Sequence, residues 1–322
     1  MTPRSTLFRD FHLRGASAPE WNQRYVQMSP GVMRSSLLEW TDSGAHVFGK
    51  WMSERVVQQG GLPRGQVCFA LLGGLPSQAM RAQGRDFGPG NLLVLHGGDD
   101  FEFHRPAGVE LLSVSFDAAA FHEQLASTRT RLRPALLPAQ AQGLLHLPAP
   151  ALARLRRLIR LRLGGDATFG AGALMHAVAD LLVGASPAAA QKTSSARAAQ
   201  VVKACQALAQ ARAREQPPDI EELCRQAGTS RRSLQDSFRR VAGTTPLAYL
   251  RNLRLHAVRE RLLSSRAGQV TVTQAAGEAG FDHLGRFAGD YRTLFGEVPS
   301  RTPRLGVAPG ARMPRSRPLA GS

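Results

Sequence analysis

The chain has 322 residues, 43 % of them hydrophobic, which suits a globular protein and leaves room for two domains. Its 41 Lys and Arg against 24 Asp and Glu give a formal net charge of +17, an excess that indicates a polyanionic partner such as nucleic acid. No apolar run is long enough to span a bilayer or resembles a signal peptide, so we expect a cytoplasmic protein that does not contact a membrane.

The first 130 residues are predicted to be rich in β-structure. Short apolar runs at 66–72, 91–96 and 109–116 are separated by turn signals that contain glycine and proline. Apolar and polar residues alternate only partly between residues 102 and 116, which is typical of strands buried on both faces. Strands of this length and spacing predict a small barrel or sandwich, a fold that can enclose one small ligand.

Cysteine and histidine are scattered along the chain without the spacing of metal ligands. Cys68, Cys205 and Cys224 form no C-x-x-C pair, which argues against a disulfide framework and against a structural zinc site. His96 and His104 flank a predicted hairpin, where a packing or surface role is favoured over metal binding. We therefore expect no metal and no cofactor. The sequence also has no nucleophile with a paired base and no phosphate-binding loop, so no enzyme is predicted.

The hydrophobic period changes between residues 148 and 185. Apolar residues recur there at three- and four-residue spacing, which predicts two helices, the second over 169–185. Their apolar stripes consist of Leu152, Leu155, Ile159 and Leu163, and of Leu174, Val178, Leu181 and Leu182. Two roles are open for these stripes, packing on the β-rich region or forming a dimer interface. Residues 1–185 are thus predicted to be an N-terminal effector-binding or dimerisation domain.

Two segments are predicted to lack regular structure. Residues 186–197 are small and polar and have no periodicity, which is typical of an interdomain linker. Residues 305–322 are rich in proline and arginine, which predicts a disordered basic tail. The charge of this tail would add a weak, salt-sensitive attraction to DNA.

A helix-turn-helix unit is predicted between residues 220 and 242. Its first helix runs from about Ile220 to Ala227 and ends at Gly228, which can adopt a positive φ. Ser230 is placed to cap the second helix, about 231–242. That helix has an apolar stripe on one side, and its other side carries arginine and glutamine, whose side chains match guanine and adenine edges. The whole arrangement is the helix-turn-helix pattern.

The same arrangement recurs further along the chain. A helix over about 273–279 is followed by Gly280, and by Asp282 as the expected cap of a helix that begins near His283. The final helix carries Phe287, Tyr291 and Phe295 at four-residue spacing. A long helix over 247–263, apolar on more than one side, is predicted to connect the units and to orient them. The two recognition helices must lie roughly 34 Å apart to enter successive turns of the major groove on one face of the duplex.

Residues 198–304 resemble the C-terminal DNA-binding domain of the AraC/XylS family. Two matched units, in order and at the family spacing, make this resemblance far more specific than a single helix-turn-helix. It covers about a third of the chain and implies seven helices, DNA binding by one helix of each unit, and control of transcription. The matching residues are Leu223, Ala227, Gly228, Ser230, Leu234, Phe238, Gly243, Pro246, Tyr249, Leu250, Arg254, Leu262, Leu263, Ala276, Ala279, Gly280, Phe281, Asp282, Phe287, Tyr291, Phe295, Gly296, Pro299 and Ser300.

The predicted fold is therefore a two-domain α+β protein. It combines a β-rich, sensor-like N-terminal domain that also contains helices with an all-α C-terminal domain of two helix-turn-helix units. The outward residues of the two predicted recognition helices are the candidate DNA contacts. They are Arg231, Arg232, Gln235 and Arg239 in the first unit, and His283, Arg286 and Arg292 in the second.

The second recognition helix is poor in side chains that can reach a base. Its outward positions include Gly285, Ala288 and Gly289, and interior glycines cost about 1 kcal/mol each relative to alanine. We therefore expect Arg232 and Gln235 of the first unit to carry most of the base discrimination. The arginines of the second unit would mainly hold phosphates.

The predicted function is a sequence-specific transcription regulator, and more specifically an effector-responsive activator. Its expected partners are double-stranded DNA, RNA polymerase, a small-molecule effector and a second copy of the chain; the sequence does not indicate which residues bind the effector. The alternative is an architectural DNA-binding protein that needs no effector. The net charge itself also has an alternative source, because nearly all the cations are arginine and the chain is rich in the residues of GC-rich genomes.

Overall fold

The computed structural model describes residues 4–8, 21–42, 44–74, 80–127, 143–166, 168, 170–183, 185–188, 193–212 and 217–305. Within these ranges the N-terminal part is rich in β-strands and the C-terminal part is helical, which confirms the predicted fold class. The predicted basic tail lies outside the described residues, apart from Leu305. No helix among the described residues is both long enough and apolar enough to cross a membrane.

The N-terminal part contains two antiparallel sheets. The larger sheet has the strand order β1-β3-β4-β11-β6-β9-β12-β13, and the smaller has the order β2-β5-β10-β7-β8. Among their strands, β6, β9 and β11 confirm the three strands predicted from apolar runs. The strands are β1 Arg4–Phe8, β2 Arg24–Gln27, β3 Ser35–Asp42, β4 Ala45–Met52, β5 Val56–Gly61, β6 Gln66–Leu72, β7 Met80–Ala82, β8 Arg85–Phe87, β9 Asn91–His96, β10 Asp100–Arg105, β11 Glu110–Asp117, β12 Gly143–His146 and β13 Ser186–Pro187.

The larger sheet is buried on both faces. In β6, Phe69 belongs to a core shared with helices, whereas its neighbour Ala70 faces the smaller sheet. Successive side chains of a strand point to opposite faces, so a strand between two apolar layers is apolar at every position. This arrangement explains why the apolar runs in the sequence alternate only partly with polar residues.

The predicted hairpin between His96 and His104 is wrong. β9 pairs with β6 and β12 in the larger sheet, whereas β10 pairs with β5 and β7 in the smaller one. The turn after His96 therefore connects the two sheets and does not join paired strands. A turn signal shows where the chain reverses, but it does not show which strand the next one will pair with.

Among its described residues the N-terminal part has three helices, α1 Ala118–Ser127, α2 Ala149–Leu163 and α3 Ala171–Val183. The two predicted apolar stripes are buried in one core with the outer face of the larger sheet. These stripes therefore pack on the β-rich region within the chain, and dimerisation through them remains a prediction. α2 is anchored further by Arg156, whose Nε donates to the carbonyl of Leu72 at 2.7 Å.

The segment 186–197 contains more regular structure than we predicted. Ser186 and Pro187 pair with β12, and helix α4 already begins at Thr193. The strand pairing depends on backbone contact with a distant segment, which composition does not reveal. The helix begins here because the alanine-rich sequence places Ala198 and Val201 against the C-terminal core. The domain boundaries at 185 and 198 remain a prediction.

The C-terminal part consists of α4 Thr193–Ala211, α5 Ile220–Ala227, α6 Arg231–Ala242, α7 Pro246–Ser264, α8 Val272–Glu278 and α9 Leu284–Phe295. These six α-helices are followed within the described residues by a short 3₁₀-helix, Pro299–Arg301. The family resemblance implies seven helices, and here the seventh is this single 3₁₀ turn. The long helix α7 connects the units formed by α5–α6 and α8–α9.

The two parts of the chain share a hydrophobic core. Val26 and Val57 of the smaller sheet, and Met28 just after β2, pack in one cluster with buried residues of α4–α7, among them Leu223 and Phe238. An ion pair between Arg24 and Glu260, 3.2 Å apart, lies beside this contact. The helical part is thus seated on the edge of the smaller sheet.

Candidate nucleic-acid interface

The first helix-turn-helix unit is built by local chemistry that its sequence specifies. Asp219 and Glu222 form a reciprocal capping box at the start of α5, with nitrogen–oxygen distances of 2.8 and 3.1 Å. Gly228 adopts φ +57° after α5, and the Ser230 hydroxyl accepts a hydrogen bond from the Ser233 amide at 3.2 Å. Both the predicted glycine turn and the predicted serine cap are confirmed.

The core of this unit holds α6 in place. Leu234 and Phe238 are fully buried, and the Phe238 ring lies edge-on to Tyr249 of α7 at 5.3 Å. Burying these residues of the apolar stripe leaves the opposite side of α6 facing outward.

The second unit has the same plan with a longer turn. Thr271 and Gln274 form the capping box of α8, and Gly280 adopts φ +71°. Four positions separate Gly280 from the start of α9, whereas three separate Gly228 from the start of α6.

Asp282 is not the cap of α9, so that prediction is wrong. Because of the extra turn residue, the N-cap position falls on His283, whose side chain makes no capping bond. The Phe287 amide donates to the His283 carbonyl at 3.0 Å, which marks the first turn of the helix. The start of α9 therefore has no side-chain cap, unlike the start of α6.

Arg254 joins the connecting helix to the second unit. Its Nε donates to the Ala279 carbonyl at 2.7 Å, a second guanidinium nitrogen donates to the Gly280 carbonyl, and the guanidinium stacks on Phe281 at 4.2 Å. Burial lowers the pKa of Arg254, and the nearby Asp282 carboxylate acts in the opposite direction. The cation thus binds the carbonyls that α8 leaves unpaired at its C-terminal end.

In the first unit the predicted contact residues lie on the outer side of α6. Arg231 and Arg232 are exposed in the first turn, and Gln235 is half-buried one turn later. None of these three side chains makes a hydrogen bond or ion pair with another described residue, so their polar groups can bind a ligand. Arg239 is also exposed, but it lies two turns further on, beside a pocket of about 200 Å³ that Arg55 and other N-terminal residues line.

In the second unit the predicted contact residues are divided between the two ends of α9. His283 and Arg286 are exposed at its N-terminal end, and Arg292 is exposed in its last turn. His283 and Arg286 also line an open cleft of about 590 Å³ between the connecting helix α7 and the second unit. The ion pair between Arg251 and Asp290, 3.4 Å apart, spans the cleft.

α6 and α9 have twelve residues each and correspond position by position. The buried pair Leu234 and Phe238 corresponds to Phe287 and Tyr291. On this correspondence, Gly285 stands where the first unit has Arg232. Ala288 likewise replaces Gln235. A side chain added at Gly285 or Gly289 would meet no atom within 4 Å, so this surface of α9 is open and bare.

The contacts between the sheets and the two units escaped the sequence analysis. Arg55 and Arg81 donate to carbonyls at the C-terminal end of α6, and Gln27 donates to one at the end of α9. Each partner lies at least 159 positions away along the chain. No periodicity or motif around these residues indicates the pairing.

A family model described as a helix-turn-helix domain matches residues 223–304. The XylDLEGF operon transcriptional activator 1 of Pseudomonas putida is 47 % identical over 85 residues, which are 26 % of either chain. The probable thc operon regulatory protein of Rhodococcus erythropolis is 41 % identical over 86 residues, 27 % of this chain and 26 % of that protein. A solved structure of a probable AraC family transcriptional regulator from Rhodopseudomonas palustris is 39 % identical, with a TM-score of 0.29, and covers 32 % of this chain and 93 % of that one.

The C-terminal part is thus a DNA-binding domain of the double helix-turn-helix class. Residues 223–304 are a helix-turn-helix domain of the type found in AraC/XylS regulators. The chain spans only about a quarter of the length of these two curated relatives, and the family model matches residues in the helical part of the chain. The resemblance of these residues is therefore confirmed, whereas the role of the N-terminal part is a matter of proposal.

Proposed function

We propose that the chain is a sequence-specific transcription regulator. The observation that carries the proposal is the pair of helix-turn-helix units, each with an exposed, cationic N-terminal end on its second helix. Arg232 and Gln235 read base edges in the major groove, because arginine can bind guanine and glutamine can bind adenine through two hydrogen bonds. Arg231, Arg239 and His283 contribute further contacts to the duplex.

The two units divide the work of binding. The reading positions of α6 correspond to Gly285 and Ala288 in α9, which cannot form hydrogen bonds to bases through their side chains. Arg286 and Arg292 therefore bind phosphates and fix the position of the second unit on the duplex. Sequence preference comes mainly from the first unit.

The N-terminal domain, residues 1–185, senses a small effector or pairs two copies of the chain, and residues 198–304 bind DNA. The Pseudomonas relative is named as an operon activator and the Rhodococcus relative as an operon regulator. These names favour a role for this chain as an activator that works with RNA polymerase in the bacterial cytoplasm. An effector can change DNA binding only if it binds two arrangements of the domains unequally. The direct contact between the sheets and α4–α7 is a route for such coupling.

The test is recovery of genomic DNA fragments bound by the purified full-length protein, at physiological salt with competitor DNA. The matched control is the double variant Arg232→Ala and Gln235→Ala, which keeps Arg286 and Arg292. We expect the wild type to enrich a few sites upstream of operons and the control to lose this enrichment. The products of the neighbouring operon would then nominate effectors to add to the binding assay.

An architectural DNA-binding role is the second candidate, because a net charge of +17 alone attracts DNA. It predicts uniform retention of all fragments, equal for the wild type and the double variant, and steeply weakened by salt. That result would overturn the proposal that the chain is a sequence-specific regulator.

A further inference from the structure

The N-terminal domain binds the C-terminal ends of both second helices. In the first unit, Arg81 Nε donates to the Arg240 carbonyl at 3.1 Å, and an Arg55 guanidinium nitrogen donates to the Gly243 carbonyl at 2.6 Å. The last carbonyls of a helix have no intrahelical donor and carry partial negative charge, so a cation placed there is stabilising. Arg81 is itself held by Asp86, 3.0 Å away.

The second unit is held at the same end of its helix. The Gln27 side-chain amide donates to the Leu294 carbonyl of α9 at 2.6 Å, and the Gly31 amide donates to the same oxygen at 3.2 Å. The backbone amide of Gln27 donates to Nε2 of His256, a fully buried residue of α7. One short segment of the N-terminal domain thus contacts α9 and the connecting helix together.

The glycines that follow both helices allow this close approach. Gly243 and Gly296 adopt φ of +64° and +71°. A side chain at Gly243 would begin 2.5 Å from Arg55, and one at Gly296 would begin 2.4 Å from Val32. Both helices therefore end in a glycine against which the N-terminal domain packs.

We propose that Gln27, Arg55 and Arg81 are positioning residues that fix the two DNA-reading helices relative to each other and so set the spacing of the two half-sites on DNA. Apart from contacts with the N-terminal domain, the two units are joined through the connecting helix α7. Arg232 lies eight residues before Arg240, about 12 Å along the helix, so the contacts hold α6 without covering its reading end. The effect on DNA rests on the proposed function, whereas the effect on geometry does not.

Geometry is tested first, without DNA. Nitroxide labels are placed on full-length protein at Asp236→Cys of α6 and Thr293→Cys of α9, both exposed, in a Cys224→Ser background. We expect a narrow distribution of label distances that broadens in Gln27→Glu and Arg81→Ala. Gln27→Glu keeps the shape of the side chain but removes the amide donor, and Arg64→Ala, at an exposed turn, is the matched control. Distributions that stay unchanged in both variants would overturn the proposal.

The consequence for DNA is tested by selection from a random duplex library. We expect the wild type to select two half-sites at one spacing, and the variants to select the same half-sites at several spacings. Affinity for the tandem site should fall about tenfold while affinity for a single half-site stays within about twofold, because only the effective concentration of the second unit changes. An unchanged spacing preference, or tighter tandem binding, would overturn the proposal.

Two further outcomes are distinguishable. If the wild type selects no motif, the proposed function fails, while the label distances still test the positioning role. If Arg81→Ala unfolds the chain, Arg55→Ala and Arg81→Lys replace it, since Arg55 is only half-buried and lysine can still donate to the Arg240 carbonyl. Partial recovery of the narrow distribution in Arg81→Lys is expected, and a distribution as broad as that of Arg81→Ala would count against the carbonyl contact.

Discussion

The guanidinium of Arg254 donates to the carbonyl of Ala279 at 2.7 Å and so ties the connecting helix to the turn of the second unit. The same group stacks on Phe281, the residue after the turn glycine. One side chain of α7 therefore holds the end of α8 and the ring that packs on Phe287 at the start of α9. The start of α9 has no side-chain cap, and Arg254 instead holds this unit through the turn that precedes it.

Replacing Arg254 by alanine is expected to loosen α8 and α9 locally. The change removes hydrogen bonds to two carbonyls and one cation–π contact, together about 2 kcal/mol. Backbone amides in 272–295 should then exchange with solvent roughly tenfold faster or more, measured by hydrogen exchange on the full chain. Arg225→Ala, at an exposed arginine of α5, should leave exchange unchanged. Equal protection in Arg254→Ala and wild type would contradict the role of this contact.

Local chemistry explains which parts of the site could be predicted from the sequence. Gly228 itself adopts the positive φ, and Ser230 caps an amide only three residues further on. Both roles are local, so the residue types alone predict the first turn. Asp282 is equally suited to capping, but one extra residue in the turn moves the N-cap position to His283, whose side chain makes no capping bond. Such a shift depends on how the second unit packs, which no residue type in the turn reveals.

Non-local pairing explains what the sequence left open in the fold. The strands β6, β9 and β11 are mostly apolar because both of their faces are covered, so the sequence shows them clearly. β13 consists of two residues that form a strand only because β12 lies beside them. Arg81 lies in a three-residue strand, where its sequence context indicates no partner. Its contact with the end of α6 is visible only in the structure, where Nε lies 3.1 Å from the Arg240 carbonyl oxygen.

Acid is expected to weaken the contact between the smaller sheet and α4. Burial raises the pKa of Glu102, but hydrogen bonds from His104, Gln59 and Gln206 outweigh it and hold the pKa below the ordinary 4.5. The unfolded chain therefore binds the proton first as pH falls, and stability present above about pH 4.5 is lost as pH falls through the folded pKa.

The measurement is the thermal unfolding midpoint between pH 3 and pH 7, for the wild type and Glu102→Gln. The variant should unfold at a lower temperature near neutral pH, and the gap should close toward pH 3. Glu123→Gln, at an exposed position of α1, should match the wild type throughout. A gap that stays constant across this range would contradict the assignment to Glu102 ionisation.

The three cysteines are expected to differ sharply in reactivity. Burial raises the pKa of Cys68 to about 12 and that of Cys205 to about 11, whereas Cys224 is only half-buried. Because the thiolate is the reactive form, iodoacetamide at pH 8 should modify Cys224 in the native protein and leave the other two intact. Mass spectrometry of the digested protein measures the alkylation of each cysteine. Protein unfolded in urea is the control, in which all three cysteines should be labelled. Native labelling of Cys205 as fast as Cys224 would show that α4 and α5 separate readily.

The proposed division of labour between the units predicts different losses for two single variants. Gln235→Ala should relax the preference at one base pair, with about 1–3 kcal/mol less discrimination, because its amide pairs with a base edge. Arg292→Ala should weaken binding to specific and random duplexes alike and lower the slope of affinity against salt by about one unit, because it removes one phosphate contact. Affinities measured over a salt series on a selected site, its single-base variants and random DNA separate the two effects. Thr293→Ala, at the exposed residue beside Arg292, serves as the control and should bind as the wild type does. If both Gln235→Ala and Arg292→Ala lost affinity equally on specific and random DNA, the assignment of base reading to α6 would be wrong.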